Sequence, residues 1–225
     1  MIMKQPLPLK SSATLLLALA LALTTNTRAQ EMTKFTAVPG KSKVKIDGTS
    51  TIHDWVVESQ LVGGAIELDS TFPVDPAQNP AAPGKVKAKV DVTIPVRQLK
   101  SGKKPMDEVM YQAMNQTTFP KIEYHLTEMA LKEVPATVGA PLQFDTKGEL
   151  TVSGVTNQIT MPVTLERIDK TKLRFTGAIA LKMTSYGIKP PSPKGTFGLI
   201  STGDDVKITF EWLTAVPAKP AAAAP

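Results

Sequence analysis

Only two imidazoles occur in the chain, His53 and His125. His53 lies in Gly48-Thr-Ser-Thr-Ile-His-Asp-Trp55, beside Asp54 and close to the hydroxyls of Thr49, Ser50 and Thr51. A histidine next to an acid can act as a general base, provided that a nucleophile and an orienting group converge on it. None of the three hydroxyls sits in a nucleophile-elbow motif. A glycine followed by Thr-Ser-Thr is instead turn chemistry, in which hydroxyls bond the local backbone. The stretch therefore reads as a turn feeding a strand, with His53 and Asp54 shaping its rim. His125, 72 residues further on, falls on the polar parity of the strand that begins at Lys121. A zinc site would need two more ligands, and none stands at ligand spacing. The chain has no cysteine, which excludes thiol catalysis, disulfides and thiolate metal sites. It contains no G-x-G-x-x-G, no P-loop and no H-E-x-x-H. Asp204 and Asp205 are adjacent on a strand and point to opposite faces, so they make a poor acid/base pair. The expectation is a protein without catalytic residues, metal or cofactor.

What the sequence does repeat is alternation. In Lys85–Ile94, Val86, Ala88, Val90, Val92 and Ile94 alternate with polar residues, and a period of two places one set inside and the other in water. The same pattern gives Val44 and Ile46, then Ile122, Tyr124 and Leu126. Leu150 and Val152 form a short run. Ile159, Met161, Val163 and Leu165 form another row. Leu173, Phe175, Gly177, Ile179, Leu181 and Met183 form a long one, and Val206, Ile208, Phe210 and Trp212 the last. Between Asp54 and Asp69 the parity is broken by Gly63-Gly64, a pair that suits a bulge or a barrel corner. Trp55 and Val57 are expected to face inward before the bend, and Ile66 and Leu68 after it. About eight such strands at short spacing predict an all-β chain whose antiparallel sheet closes on itself or folds into a sandwich.

Three segments depart from this pattern. Ser70–Gly84 is rich in proline and reads as a long loop. Ser101–Thr118 is the helical candidate, with Pro105 near its start and Asp107 and Glu108 in the first turn. Met106, Val109, Met110, Ala113 and Met114 recur there at helical spacing. This is either a helix packed over the sheet or a flexible lip for a long apolar ligand. Residues 215–225 are low-complexity and read as a disordered Ala/Pro-rich tail. At the other end, residues 1–29 read as a cleaved secretory signal. Lys4 and Lys10 precede an apolar run of 11 residues, Ala13–Leu23, and Thr27 and Ala29 stand at −3 and −1. The run is shorter than the roughly 20 residues a bilayer span needs, and without cysteine there is no lipobox. A periplasmic or secreted domain over residues 30–214 is expected. The net charge of +6 includes Lys4, Lys10 and Arg28, and the remaining 23 basic and 20 acidic residues leave +3. Spread along strands, that excess implies solvated faces rather than nucleic-acid binding.

The chain resembles the YceI-like family of lipid/polyisoprenoid-binding proteins. The resemblance is carried by Ser42–Trp55, SKVKIDGTSTIHDW; by Ser101–Tyr111, SGKKPMDEVMY, with Phe119–Tyr124, FPKIEY; by Lys147–Asn157, KGELTVSGVTN; and by Leu181–Pro191, LKMTSYGIKPP, with Gly203–Phe210, GDDVKITF. The form GTSTIHDW marks a divergent branch. The resemblance implies a lipocalin-like, eight-stranded antiparallel β-barrel with one or two short helices, located in the periplasm. It further implies an apolar tunnel for a polyprenyl chain or isoprenoid quinone, and no catalytic residues. The expected lipid contacts are then Val44, Ile46, Trp55 and Val57; Val90, Val92 and Ile94; Met106, Met110, Met114 and Phe119; Ile122, Tyr124 and Leu126; Leu150 and Val152; Met161, Val163, Phe175 and Ile179. His53, Tyr111, Tyr186 and Lys189 are the headgroup or rim candidates. Two other readings stand beside the carrier. One is a solidly packed barrel serving as a structural or interaction module, with Phe175, Phe210 and Trp212 meeting on its axis. The other is a lipid hydrolase or isomerase using His53 and Asp54.

Overall fold

The computed structural model describes residues 31–192 and 199–218. The stretch read as a signal and most of the stretch read as a tail lie outside the described residues. The strands are β1 (Met32–Ala37), β2 (Lys43–Ser50), β3 (Trp55–Ser59), β4 (Gly63–Asp69), β5 (Gly84–Lys85), β6 (Ala88–Pro95), β7 (Lys121–Leu131), β8 (Leu142–Val152), β9 (Val155–Asp169), β10 (Lys172–Lys182) and β11 (Thr202–Ala215). One α-helix, α1 (Lys104–Ala113), and two short 3-10 turns, Val96–Gln98 and Met183–Tyr186, complete the described residues.

All pairings are antiparallel, and the order β1-β4-β6-β7-β8-β9-β10-β11 is closed by a β1–β11 pairing at Thr36–Ala215 and Ala37–Thr214. That ring has eight positions. Three of them are built from broken strands, which is why eleven segments make an eight-stranded barrel. β2 continues β1 along the same edge of β11, and β3 continues β4 by pairing with β2. At the β1–β2 break Ser42, itself buried, accepts the Leu213 amide at 3.1 Å and keeps the wall sealed. At the β3–β4 break Gly64 has φ +124°, and a β-carbon there would strike the Asp91 carbonyl of β6. Of the Gly63-Gly64 pair expected at a corner, Gly64 is thus a backbone requirement. The single strand expected over Lys85–Ile94 is split. β5 pairs with the far end of β7, while β6 pairs with β4 and the near end of β7. β8 is longer than expected, because Leu142 and Phe144 extend its buried row beyond Leu150 and Val152. β11 runs through Ala215, and Val216 donates its amide to Thr171, so ordered backbone continues past the start of the stretch read as tail.

The core is concentrated at one end of the barrel. Phe35, Leu68, Leu142, Phe144, Leu165 and Leu173 have no exposure at all. The 70–84 loop covers this end: Phe72 packs on Phe144 with ring centroids 6.3 Å apart. Arg167, at the end of the inward row of β9, is the polar centre of the plug. Its guanidinium donates to the carbonyls of Pro73 at 3.1 Å, Asp75 at 3.4 Å and Gln78, and to Asn79 Oδ1 at 3.3 Å. Its two terminal nitrogens are answered in this way, which lets the charge be buried, while Nε has no hydrogen-bond partner among the described residues. The opposite end has no such cluster, and α1 lies there.

Candidate functional site

Above the plug the inward rows do not meet. They enclose a cavity of about 530 Å³ that opens at the α1 end. Its wall is the period-two face of nearly every strand: Val44 and Ile46 of β2, Val57 of β3, Val90 of β6, Leu126 of β7 and Met161 of β9 all reach it. Phe175 and Trp212 line it rather than fill it, their rings tilted at 39° to each other with centroids 5.6 Å apart. Phe210 lies over Gly177, where a β-carbon would collide with its ring. The aromatic residues therefore hug the wall, and the barrel is hollow instead of solidly packed.

Helix α1 roofs the opening. Lys103 precedes it, Pro105 is in its first turn, and Asp107 turns back to accept the Ser101 amide at 2.7 Å and hydroxyl at 2.6 Å. These bonds tie the turn before the helix to its first turn. Met106, Val109, Met110, Ala113 and Met114 then face the cavity. The methionine stripe is at once packing and lining. On the edge turned away from β2, β3 pairs with no other strand among the described residues and makes one bridge, Glu58–Lys100. A cleft of about 250 Å³ opens there between Trp55, Val56, Ser101 and Met106.

The rim is turn chemistry. Ser50 Oγ donates to the His53 carbonyl at 2.6 Å and accepts the His53 amide at 3.2 Å. Thr51 Oγ1 donates to Leu199 O at 2.8 Å and accepts the Ser201 amide at 3.1 Å, which latches this turn to the neighbouring one. Trp55 folds over Gly48, where any side chain would occupy the space of the indole, and donates Nε1 to Thr49 O at 2.9 Å. His53 Nδ1 faces the backbone oxygen of Asp54 at 2.9 Å, not a carboxylate. The GTSTIHDW stretch is thus the end of β2, a rim turn and the start of β3, and the hydroxyls of Ser50 and Thr51 are bound to backbone. Across the mouth the Met183–Tyr186 turn ends at Gly187 in the left-handed region, φ +68°. Asp204 holds that turn by accepting the Thr184 hydroxyl at 2.7 Å and amide at 2.8 Å, and these bonds keep its carboxyl below the usual range.

Every expected lipid contact except Phe119 reaches the cavity wall. Phe119 instead packs its ring on Gly154, at the β8–β9 turn. Of the rim candidates, His53 and Tyr186 line the mouth, whereas Tyr111 and Lys189 do not. Tyr111 is on the other face of α1. Its hydroxyl sits between the carbonyls of Leu99 at 2.8 Å and Arg97 at 3.0 Å and accepts from Lys100 at 2.8 Å, anchoring the helix to the wall. Lys189 is exposed beyond the rim. Lys103 and Lys182 are the cations that do reach the mouth, and Lys182 is tied to Asp205 at 2.8 Å. Ile159, Leu181 and the β11 row, all on inward parity, also line the cavity although they are absent from the expected contacts. His125 lies on the outer wall, where it meets Asp91 at 2.7 Å and holds that carboxyl below its ordinary range. Among the described residues no group of three or more His, Asp or Glu is placed to bind a metal.

Residues 35–213 match the YceI-like domain. The chain belongs to the YceI-like family. Among solved structures, this YceI-like chain is similar to a polyisoprenoid-binding domain from Saccharophagus degradans implicated in plant cell wall breakdown. The TM-score is 0.58 at 12% identity, over 83% of this chain and 100% of that one. It is also similar to BcnA of Burkholderia cenocepacia, with a TM-score of 0.58 at 18% identity over 79% and 98%. At these identities the likeness shows a shared fold. No curated protein sequence matches the YceI-like chain.

Proposed function

We propose that this YceI-like protein is exported to the periplasm and there carries or sequesters an apolar isoprenoid-type lipid inside its barrel. The observation that supports this most is the hollow: a cavity of about 530 Å³ with an almost wholly apolar wall, plugged at one end and open at the other beneath a methionine-lined helix. A cavity of this size falls within the 300–1,000 Å³ range of small-molecule sites. Burying a five-carbon prenyl unit yields roughly 4 kcal/mol at about 0.8 kcal/mol per methylene. Several units outweigh an association cost of about 4–15 kcal/mol, so apolar burial alone reaches useful affinity. The same physics gives weak discrimination between chain lengths, since one methylene in a pocket is worth only about 1–3 kcal/mol. The Saccharophagus domain, described as polyisoprenoid-binding, supports the choice of ligand class by analogy of fold.

The test is mass spectrometry of organic extracts from the protein purified out of a bacterial host. A co-purified prenyl lipid, or uptake of an added one by delipidated protein, is the expected result. Protein that is empty and takes up no prenyl lipid would overturn the proposal. Export is tested separately, by fractionating cells that express the full chain and sequencing the mature N-terminus. Cleavage after Ala29 is expected.

A further inference from the structure

The barrel wall has an open seam along β3. Glu58 donates its amide to the Lys100 carbonyl at 2.9 Å and accepts the Lys100 amide at 2.8 Å. In an antiparallel strand, residues two apart direct their backbone groups to the same edge. Val56 therefore turns its amide and carbonyl away from β2 as well. By the same register its partner across the seam would be Gly102. Gly102 instead has φ +77° and turns the chain off β3 into α1, and a β-carbon on it would meet nothing within 4 Å. The cleft of about 250 Å³ lies where this pairing stops. Four of the residues that line it, His53, Trp55, Lys103 and Met106, also line the cavity. Their side chains are what stands between the two.

The two banks of the cleft are held differently. On the β3 bank Trp55 is fixed over Gly48 and by its bond to Thr49 O. On the other bank residues 101–108 make no hydrogen bond to a barrel strand among the described residues; Ser101 bonds Lys103 and Asp107 instead. The polar ties of α1 to the barrel are at its far half. There the Tyr111 hydroxyl meets the Leu99 and Arg97 carbonyls, and the Met114 carbonyl accepts Ser153 Oγ at 2.9 Å. The near half meets the cavity through Pro105, Met106 and Val109, and methionine adapts its shape at little cost. Further round the rim, the Thr51 bonds to Leu199 and Ser201 latch the neighbouring turns together. We infer that the seam is the entrance for the lipid: residues 101–106 swing off β3 about the ties at Tyr111 and Met114, and the hydrocarbon passes sideways between Val56 and Lys103 into the cavity. This rests on the lipid-carrier reading and adds to it the route of entry and the part that moves.

The chain has no cysteine, so introduced thiols are the only ones present. Val56→Cys/Lys103→Cys protein is joined across the cleft with a short bifunctional methanethiosulfonate, which dithiothreitol removes. Uptake of retinol, an isoprenoid alcohol whose fluorescence rises in apolar surroundings, is followed by stopped flow in the unlinked, linked and reduced protein. Linking should slow uptake and release about tenfold or more, as for a gate held shut. It should leave the amount bound at saturation unchanged, and reduction should reverse it. Should the double variant fail to fold, Val56→Cys alone, carrying a bulky maleimide, takes its place. Val56 lines the cleft but not the cavity, so this label should slow uptake, whereas the same label on Lys189→Cys, beyond the rim, should not. Equal rates with the seam linked and free, or a label at Val56 that slows uptake no more than one at Lys189, overturns the entrance while leaving a lipid carrier intact. Wild-type protein that takes up neither retinol nor any prenyl lipid overturns the carrier as well.

Discussion

Tyr124 shows how a single residue can be placed well by its pattern and still hold a detail that the pattern does not carry. Parity on Ile122, Tyr124 and Leu126 assigns it to the wall, where it is. Nothing in the sequence tells that Gly148, 24 residues on, makes room for its ring and hydroxyl. Because that hydroxyl makes no hydrogen bond of ordinary geometry, Tyr124→Phe should leave the melting temperature of the lipid-free protein unchanged or raise it, whereas cutting a satisfied buried hydroxyl costs about 1 kcal/mol. Thermal denaturation checks this, and a clear drop would mean the hydroxyl is bonded. Asp204 makes the opposite case. The Thr184 hydroxyl and amide depress its carboxyl pKa. A carboxyl depressed in the folded state contributes stability that is complete above the unfolded value, near 3.9, and is lost as pH falls through the folded one. The melting temperature gap between wild type and Asp204→Ala should therefore be constant from neutral pH down to about pH 5 and narrow below about pH 4. A gap that widens in acid would contradict the assignment. Tyr111 and Lys189 were not separable from true rim residues by composition. For Tyr111 the helical wheel carried a usable signal, since it stands five residues after Met106, on the flank that binds the wall.

At the scale of elements, the strands were legible because one face of each is oily and the other wet, and a period of two survives in the sequence whatever the partner. Breaks were legible only where glycine marked them. Gly63-Gly64 announced the β3–β4 corner, but the split between β5 and β6 left no trace, because Val86 and Ala88 keep parity across it. The plug at the closed end was the largest omission. The 70–84 segment reads as a loop from its prolines, yet its anchor is Arg167, far along the chain. The available signal was its parity: Arg167 continues the inward row Ile159, Met161, Val163 and Leu165, and a charge on an oily row must be answered by something. Arg167→Ala leaves the Pro73, Asp75 and Gln78 carbonyls without their donor. It should cost about 2–4 kcal/mol of unfolding free energy, as for a broken buried charged network, measured by urea denaturation. A loss under about 0.5 kcal/mol, the range of ordinary surface changes, would show that the loop seals the barrel without it.

The molecule as a whole is a barrel solid at one end and hollow at the other, and this division follows from its side chains. Large residues at full burial crowd the plug, while the mostly aliphatic rows above it, with their aromatics held against the wall, leave the middle of an eight-stranded ring unfilled. Sequence parity gives the direction of each side chain but not the radius of the ring, so a hollow and a packed barrel look alike until the rows are placed in space. A ligand that fills the hollow binds only the folded state. Prenyl lipid at a hundredfold excess over its dissociation constant should thus stabilise the protein by about 2.7 kcal/mol, seen as a rise in melting temperature. Ile159 lines the cavity, in register with Gly148 on the neighbouring strand β8. The most direct measurement is prenyl-lipid uptake by delipidated Ile159→Trp protein against wild type. The indole should occupy the hollow and abolish uptake while the melting temperature holds; undiminished uptake, or the loss of stability expected from overfilling a solid interior, would contradict a lipid held inside the barrel.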